Sequence, residues 1–332
     1  MRLLVAGGAG FIGSNYVRHR LAGHGDDRVR VLDKLTYAGR RENLSDLPED
    51  RFELIEGDIA DREAARAALE GCDAVVNFAA ESHVDRSIEE PGEFITTDVY
   101  GTYVLVEAAR DAGVRYLQFS TDEVYGDFAQ GSATETSALA PSSPYSASKA
   151  GGDLLVWAFA RTYGAEALIM RASNNYGPYQ YPEKLIPLCI LNALAGDPLP
   201  VYGDGLQVRN WLHVEDCCSA VDAVLEGGKP GEVYNVGGPD ELPNIEVVWR
   251  ILELTGRDES LIEYVEDRPG HDRRYSLSSE RLHGLGWRAA VEFEEGLRRT
   301  VDWYRDNEWW WRPIRSGEYR AYYERRYGKA LK

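Results

Sequence analysis

The sequence predicts an α/β fold, a doubly wound parallel sheet with a second, smaller α/β lobe, and three observations predict it. Short apolar runs alternate with helical patterns through the first half of the chain. A glycine-rich turn directly follows the first of these runs. At 332 residues the chain exceeds one simple core, and its 44% apolar content can fill a larger one.

The runs at 3–5, 29–32, 52–55, 74–78 and 116–119 read as buried strands, because their apolar continuity suits a parallel sheet covered on both faces. Helices are expected to begin near Phe11, Asp61, Glu93 and Pro144, which gives a β-α-β-α order that a further strand at 167–171 extends. After Tyr176 the character changes. Pro178, Pro182, Pro187, Pro198 and Pro200 crowd a short span, and helical patterns resume only near Val214, so this stretch reads as a lobe beside the sheet. Trp309 to Trp311 and Tyr322 with Tyr323 read as packing of terminal helices. The expected division is a sheet domain of 1–177, 208–234 and 286–312, and a second domain of 178–207, 235–285 and 313–332. The chain carries no internal repeat or low-complexity tract.

A formal net charge of -18 would repel a phosphate backbone, and no basic run offsets it, so a nucleic-acid partner is not expected. A small anionic ligand is compatible, since a few placed arginines and helix N-termini can hold one. No apolar run reaches the roughly 18 residues of a membrane span. Met1 leads straight into a strand pattern without the features of a signal peptide, which gives a cytoplasmic expectation. Cys72, Cys189, Cys217 and Cys218 form no C-x-x-C spacing and read as core thiols; no metal site is expected.

Gly7, Gly10 and Gly13 sit between the first strand and the first helix. Glycine suits a tight turn, a close approach of backbone to a pyrophosphate, and close helix-strand packing, while the helix N-terminus faces the phosphates. A plain βα turn would need only part of this pattern. The second strand ends at Asp33, about 20 residues on, where a carboxylate can accept from ribose hydroxyls and would repel a 2′-phosphate, so NAD is favoured over NADP. Asp58, in Gly57-Asp58-Ile59, reads as an adenine contact or as a solvated loop acid.

Tyr145 and Lys149 have the i, i+4 spacing that puts both on one face of a helix. The ammonium is expected to lower the phenol's pKa and make it a base for a sugar hydroxyl. The fifth strand runs into Ser120-Thr121-Asp122-Glu123-Val124-Tyr125-Gly126, at the sheet edge where ligands bind. Thr121 can share the substrate's hydrogen bonds with Tyr145. Asp122 and Glu123 are more than a simple oxidation requires, unless they only cap the following turn.

With these residues the chain resembles the extended short-chain dehydrogenases, whose fold is the Rossmann fold, and within them the dTDP-glucose 4,6-dehydratase family. The similarity spans nearly the whole chain. It rests on Gly7 to Gly13, Asp33 to Gly39, the Ala79-Ala80-Glu81-Ser82-His83-Val84-Asp85-Arg86-Ser87 run, Ser120 to Gly126, Tyr145 to Lys149, Ser173 to Tyr179, Pro182 to Pro187 and Asp267 to Asp272. The glycines mark only the superfamily; the Asp122-Glu123 pair and the His83 to Ser87 run are more specific.

The resemblance implies an NAD-dependent hydro-lyase acting on a nucleotide-linked hexose through C4 oxidation, loss of water across C5 and C6, and hydride return to C6. It implies Tyr145 as base with Lys149 beside it, Thr121 on the substrate, Glu123 taking the C5 proton and Asp122 protonating the departing C6 hydroxyl. For NAD it implies Phe11, Ile12, Asp33, Lys34, Leu35, Thr36, Asp58, Ile59, Phe78, Ala79, Ala80, Glu81, Ser82, Thr97 and Asn175, with Tyr145 and Lys149. For the substrate it implies Ser82, Thr121, Asn174, Lys184, Leu185, Pro200, Val201, Tyr202, Arg209, Asn235, Asp267, Arg268, Pro269, Gly270, His271 and Tyr327. Arg209 and Arg268 would clamp the diphosphate. Relatives imply a homodimer through helices near 97–112 and 145–163.

Two positions depart from the family pattern: Ala6 stands where threonine usually precedes the glycines, and Asp98 where asparagine is usual. Other readings on the same scaffold are a UDP-glucose 4,6-dehydratase, an epimerase or a decarboxylase. A 4-epimerase has no need of a C5/C6 acid-base pair. A catalytically silent NAD-binding module would be expected to lack some of Thr121, Asp122, Glu123, Tyr145 and Lys149, and all are present.

Overall fold

A computed structural model describes residues 1–328, Glu318 by its backbone alone. The last part of the expected 313–332 segment, 329–332, lies outside the described residues. Six strands form in the expected places: β1 (Arg2–Ala6), β2 (Arg28–Asp33), β3 (Phe52–Glu56), β4 (Ala74–Asn77), β5 (Arg115–Thr121) and β6 (Ala167–Ala172). Later strands are β7 (Asn174–Tyr176), β8 (Leu199–Tyr202), β9 (Val208–His213), β10 (Val233–Val236), β11 (Asp240–Pro243) and β12 (Ile262–Val265).

The main sheet has the order β10-β6-β5-β4-β1-β2-β3, and all of its pairings are parallel. Leu3 pairs with Val29 on one side and Ala74 on the other. The strand order therefore reverses between β1 and β4, and the crevice at that switch point is where such sheets take ligands. Apolar cores cover both faces. One contains Leu3, Val5 and Tyr16; the other contains Leu4, Leu32 and Tyr116.

Local chemistry explains the helix starts. Asp61 caps the helix Arg62–Leu69 by accepting from the N–H groups of Glu63 and Ala64. The expected helix near Glu93 is a composite: Pro91–Phe94 leads into a π-helical Ile95–Gly101 and then an α-helix over Thr102–Ala112. Ser143 and Ser146 close a capping box around Pro144 at the start of Pro144–Tyr163.

The proline-rich span contains a helix that the sequence did not predict, Leu185–Ala195. Pro187 is in its first turn, where the missing N–H has no intrahelical acceptor to lose. This helix, Trp211, Ile251, Phe293, Leu297, Tyr304, Trp310 and Tyr323 form a separate core.

Two of the expected borders fall within packed segments. Residues 234 and 235 both lie within β10, which pairs with β6. Trp287 joins the core of the main sheet, whereas Phe293, Leu297, Val301 and Trp310 join the second core, so side-chain packing splits 286–312 between them. All four cysteines are buried and free. Among the described residues no helix is long and apolar enough to cross a membrane.

Candidate active site

The turn after β1 is built around three glycines, two of which have no room for a side chain. A Cβ on Gly7 would meet the backbone of Ala79, and one on Gly13 the carbonyl of Gly7, both far inside van der Waals contact. Gly7 also takes φ +72°, in the left-handed region that favours glycine. The helix Phe11–Gly23 then starts without a side-chain cap, so its free N–H groups face the cavity.

Asp33 ends β2 and is anchored on both oxygens, accepting from Ala9 N at 2.8 Å and Leu35 N at 2.8 Å. Burial raises its pKa, and those two N–H groups oppose the rise. Each oxygen keeps a lone pair that a ribose hydroxyl can use. Asp58 pairs with Lys34 at 2.9 Å.

All the residues expected to hold NAD line one cavity except Leu35, which packs against the apolar core instead. The cavity continues past β4 to Thr121, Asp122, Glu123, Tyr145 and Lys149. In its wall Ser173 Oγ, Asn174 Oδ1 and Asp122 Oδ2 are buried without a hydrogen-bond partner. Backbone donors at a helix start, a carboxylate placed for a ribose and unpartnered polar atoms together fit a dinucleotide and a polar sugar.

Thr121, the last residue of β5, caps the one-turn helix Asp122–Tyr125 by accepting from Glu123 N at 3.2 Å. That turn sets two successive carboxyls in different surroundings. Asp122 is 3% exposed, and burial, followed by the charge of Glu123, pushes its carboxyl up to about 8, while Arg209 pulls the other way. Glu123 is half-buried and faces the cavity.

Lys149 Nζ donates to Phe119 O at 2.8 Å, tying the catalytic helix to the end of β5. The expected lowering of the Tyr145 phenol does not hold in the protein alone. Burial raises its pKa well above the ordinary value, the charges of Glu123, Asp98 and Asp122 raise it further, and the Thr121 hydroxyl opposes them.

Of the expected substrate contacts, Ser82, Thr121, Asn174 and Lys184 line the cavity. Burial lowers the pKa of Lys184, whose ammonium donates to Ser82 O. A second cluster gathers around Asp85: Tyr202 Oη donates to Asp85 Oδ2 at 2.8 Å, Arg268 lies 3.6 Å from Asp85, and Tyr327 Oη is 3.5 Å from Tyr202 Oη. His271 contacts Asp267 at 2.6 Å, and burial, reinforced by Arg268, brings the imidazole down to about 4. Gly270, beside it, takes φ +67°.

Arg209 is buried over the Tyr275 ring at 4.2 Å and donates to Val208 O and Asp272 O. Pro200 and Val201 are buried in β8, and Leu185 and Pro269 are not in the cavity wall.

Asn235, another expected substrate contact, lies in β10. It is fully buried behind the site, accepting from Tyr125 Oη at 2.8 Å and donating to Ala133 O, while Arg171 donates to the same Tyr125 oxygen. Ala6 is also fully buried, at the end of β1. Sequence reasoning gave no role to Glu183, which accepts from Tyr37 and Arg86, or to Arg326, 3.6 Å from Asp85. Asp85 and Arg86 stood in a quoted motif that could have drawn attention to them; Arg326 has no local signal.

Comparison with known proteins matches this geometry. A family model described as GDP-mannose 4,6 dehydratase matches residues 4–300. A dTDP-glucose 4,6-dehydratase of Streptomyces niveus is 49% identical, over 95% of this chain and 96% of its own. A low-salt glycan biosynthesis protein of Haloferax volcanii is 53% identical, over 92% of this chain and 98% of its own. The solved structure of DesIV, a dTDP-glucose 4,6-dehydratase from Streptomyces venezuelae with NAD bound, superposes with a TM-score of 0.93 at 52% identity, covering 95% of this chain and all of that one. With half of its residues shared along nearly its full length, and the fold shared with it, the chain belongs to the dTDP-glucose 4,6-dehydratase family.

Proposed function

We propose that the protein converts dTDP-glucose to dTDP-4-keto-6-deoxyglucose and water. The observation that carries this reading is the Asp122-Glu123 pair, a carboxyl that burial raises to about 8 beside a cavity-facing one, next to Thr121 and Tyr145. Two adjacent carboxyls in unlike surroundings suit a reaction that needs an acid and a base in one cycle.

NAD would be held by Gly7 to Gly13, Asp33 and the 78–82 loop, and would supply the acceptor for the hydride that leaves C4 and the donor that returns it to C6. Tyr145 takes the proton of the C4 hydroxyl while Thr121 holds that oxygen. The resulting 4-ketone acidifies C5, whose proton Glu123 removes. Asp122 gives its proton to the C6 hydroxyl, which leaves as water. Glu123 then returns a proton to C5. Arg209 and Arg268 are assigned to the diphosphate because guanidinium forks match phosphate oxygens. Asp85 is assigned the holding of Arg268 and Tyr202 before substrate arrives.

The NAD lobe is assigned to 1–177, 208–236 and 286–289 and the sugar lobe to 178–207, 237–285 and the segment from Phe293 on, with the last border within 290–292. A homodimer through the 97–112 and 145–163 helices is supported by the exposed Tyr100, Leu154, Trp157 and Tyr163 on their outer faces. Light scattering on wild type and Leu154→Lys tests it: a dimer that the lysine splits supports this face, and an unchanged mass rejects it. A cytoplasmic setting accords with a nucleotide-sugar substrate.

The test of function is incubation with dTDP-glucose, and separately UDP-glucose, following product mass and alkali-induced absorbance. Loss of one water from dTDP-glucose with no net NADH is expected. No mass change with either sugar would reject the reading.

A further inference from the structure

Asp98 is 1% exposed, and the reaction has no step that uses it. It lies in the π-helical Ile95–Gly101, a distortion often found at functional sites. The catalytic helix packs so closely there that a Cβ on Gly152 would stand 2.6 Å from the Asp98 carbonyl oxygen.

Its carboxyl joins two parts of the site. Oδ1 accepts from the N–H of Glu81, in the cofactor loop, at 2.9 Å. Oδ2 lies 2.7 Å from Ser148 Oγ, and that hydroxyl is also 2.7 Å from the carbonyl of Tyr145. A hydroxyl has one proton to give. With Asp98 ionised, two acceptors compete for it. With Asp98 protonated, the carboxyl donates to Ser148, Ser148 donates to the Tyr145 carbonyl, and every group is satisfied. An asparagine would hold this second pattern permanently, its amide N–H replacing the acid O–H. The carboxyl thus differs from its isosteric amide in one property, the ability to lose a proton.

We propose that Asp98 is a positioning residue that couples the cofactor loop at Glu81 to the catalytic helix and, by holding or losing its proton, sets the pH at which Tyr145 can act as base. The proposal rests on the reading of Tyr145 as the base. The groups facing Asp98 are Lys149, Tyr145 and Ser148 from the catalytic helix and Glu81 from the loop. Burial raises the Asp98 carboxyl to about 7; Lys149, Ser148 and the Glu81 N–H oppose this, and the Glu81 charge adds to it. Once ionised, Asp98 joins Glu123 in opposing the Tyr145 phenolate.

The test compares wild type, Asp98→Asn and Ser148→Ala, each loaded with NAD. The first readout is the pH titration of tyrosinate absorbance, assigned to Tyr145 by its loss in Tyr145→Phe; the second is the acid limb of kcat/KM with dTDP-glucose. In Asp98→Asn both move to lower pH by about one unit, the scale of one nearby charge. Ser148→Ala moves them the same way by less, because it removes a hydrogen bond from the ionised carboxylate. Urea unfolding checks that each variant is folded. Coincident tyrosinate titrations in all three proteins overturn the proposal. A shifted titration in a protein that yields no dehydrated product upholds it and rejects the dehydratase reading; product formation with an unmoved titration does the reverse.

Discussion

Thr121 Oγ1 donates to Asp122 Oδ1 across 3.2 Å, and the other oxygen of that carboxyl, Oδ2, is buried with no partner. One hydrogen bond does not offset full burial beside the charge of Glu123, so the carboxyl keeps its proton up to about 8. A lone oxygen on a protonated acid at the cavity wall is suited to donate to a leaving hydroxyl. Elimination should therefore fall as pH rises through about 8. Asp122→Asn should lose on the order of 10²-fold or more in kcat and also lose that basic limb. The pH profile of water loss checks both; a limb near 8 that survives in the variant would assign it to another group.

Glu123→Gln tests the other half of the pair. Its amide cannot accept the C5 proton, so product formation should fall on the order of 10²- to 10⁴-fold, while C4 oxidation continues and reduced cofactor stays visible. Deuterium exchange at C5 should fall in step with product. Full turnover by this variant would remove Glu123 from the mechanism.

The places of the first six strands were legible because each is a short, mostly apolar run, and the glycine turn and Asp33 were legible because their spacing to β1 and β2 is local. The helix at Leu185–Ala195 was hidden by Pro187, whose place in the first turn depends on where the helix begins. The hydrogen bond that fixes the Asn235 amide was not legible, because its partner Tyr125 is 110 positions away. The same limit applies to Tyr145. Lys149 is visible at four residues' distance, but burial and the carboxylate of Asp98, brought over by a neighbouring helix, reverse the expected shift.

Asp98 should also leave a mark on stability. An unfolded aspartate titrates near 3.9, and the folded one is raised to about 7. Between these values the native state holds a proton that the unfolded state has lost, so stability falls as pH rises from about 4 to about 7 and then levels. Asp98→Asn has no such term. The two proteins should be about equally stable near pH 4 and differ by at most roughly 4 kcal/mol at pH 8, with the variant the more stable. Asp122 has the same sign but is present in both proteins, so it cancels in the difference. Urea unfolding at the two pH values measures the gap; a difference independent of pH would show that Asp98 does not titrate in this range.

Trp310 connects the far core to the cofactor turn. Its Nε1 donates to Asn43 Oδ1 at 2.6 Å, Asn43 Nδ2 donates to Ala9 O at 2.7 Å, and Ala9 N donates to Asp33 Oδ2 at 2.8 Å. Trp310 is 1% exposed and Asn43 fully buried, so no water can replace a lost donor. Trp310→Phe keeps an aromatic ring against Trp303 and Tyr179 but leaves the Asn43 oxygen unpaired, which costs about 1–3 kcal/mol beyond the smaller ring. Because Asn43 and Asp33 hold Ala9 from opposite sides, the loosened turn should also bind NAD several-fold more weakly. Urea unfolding and fluorescence titration with NAD separate the two effects. Lower stability with unchanged NAD affinity would confine Trp310 to packing, whereas loss of both ties the second lobe to cofactor binding through this chain of three hydrogen bonds.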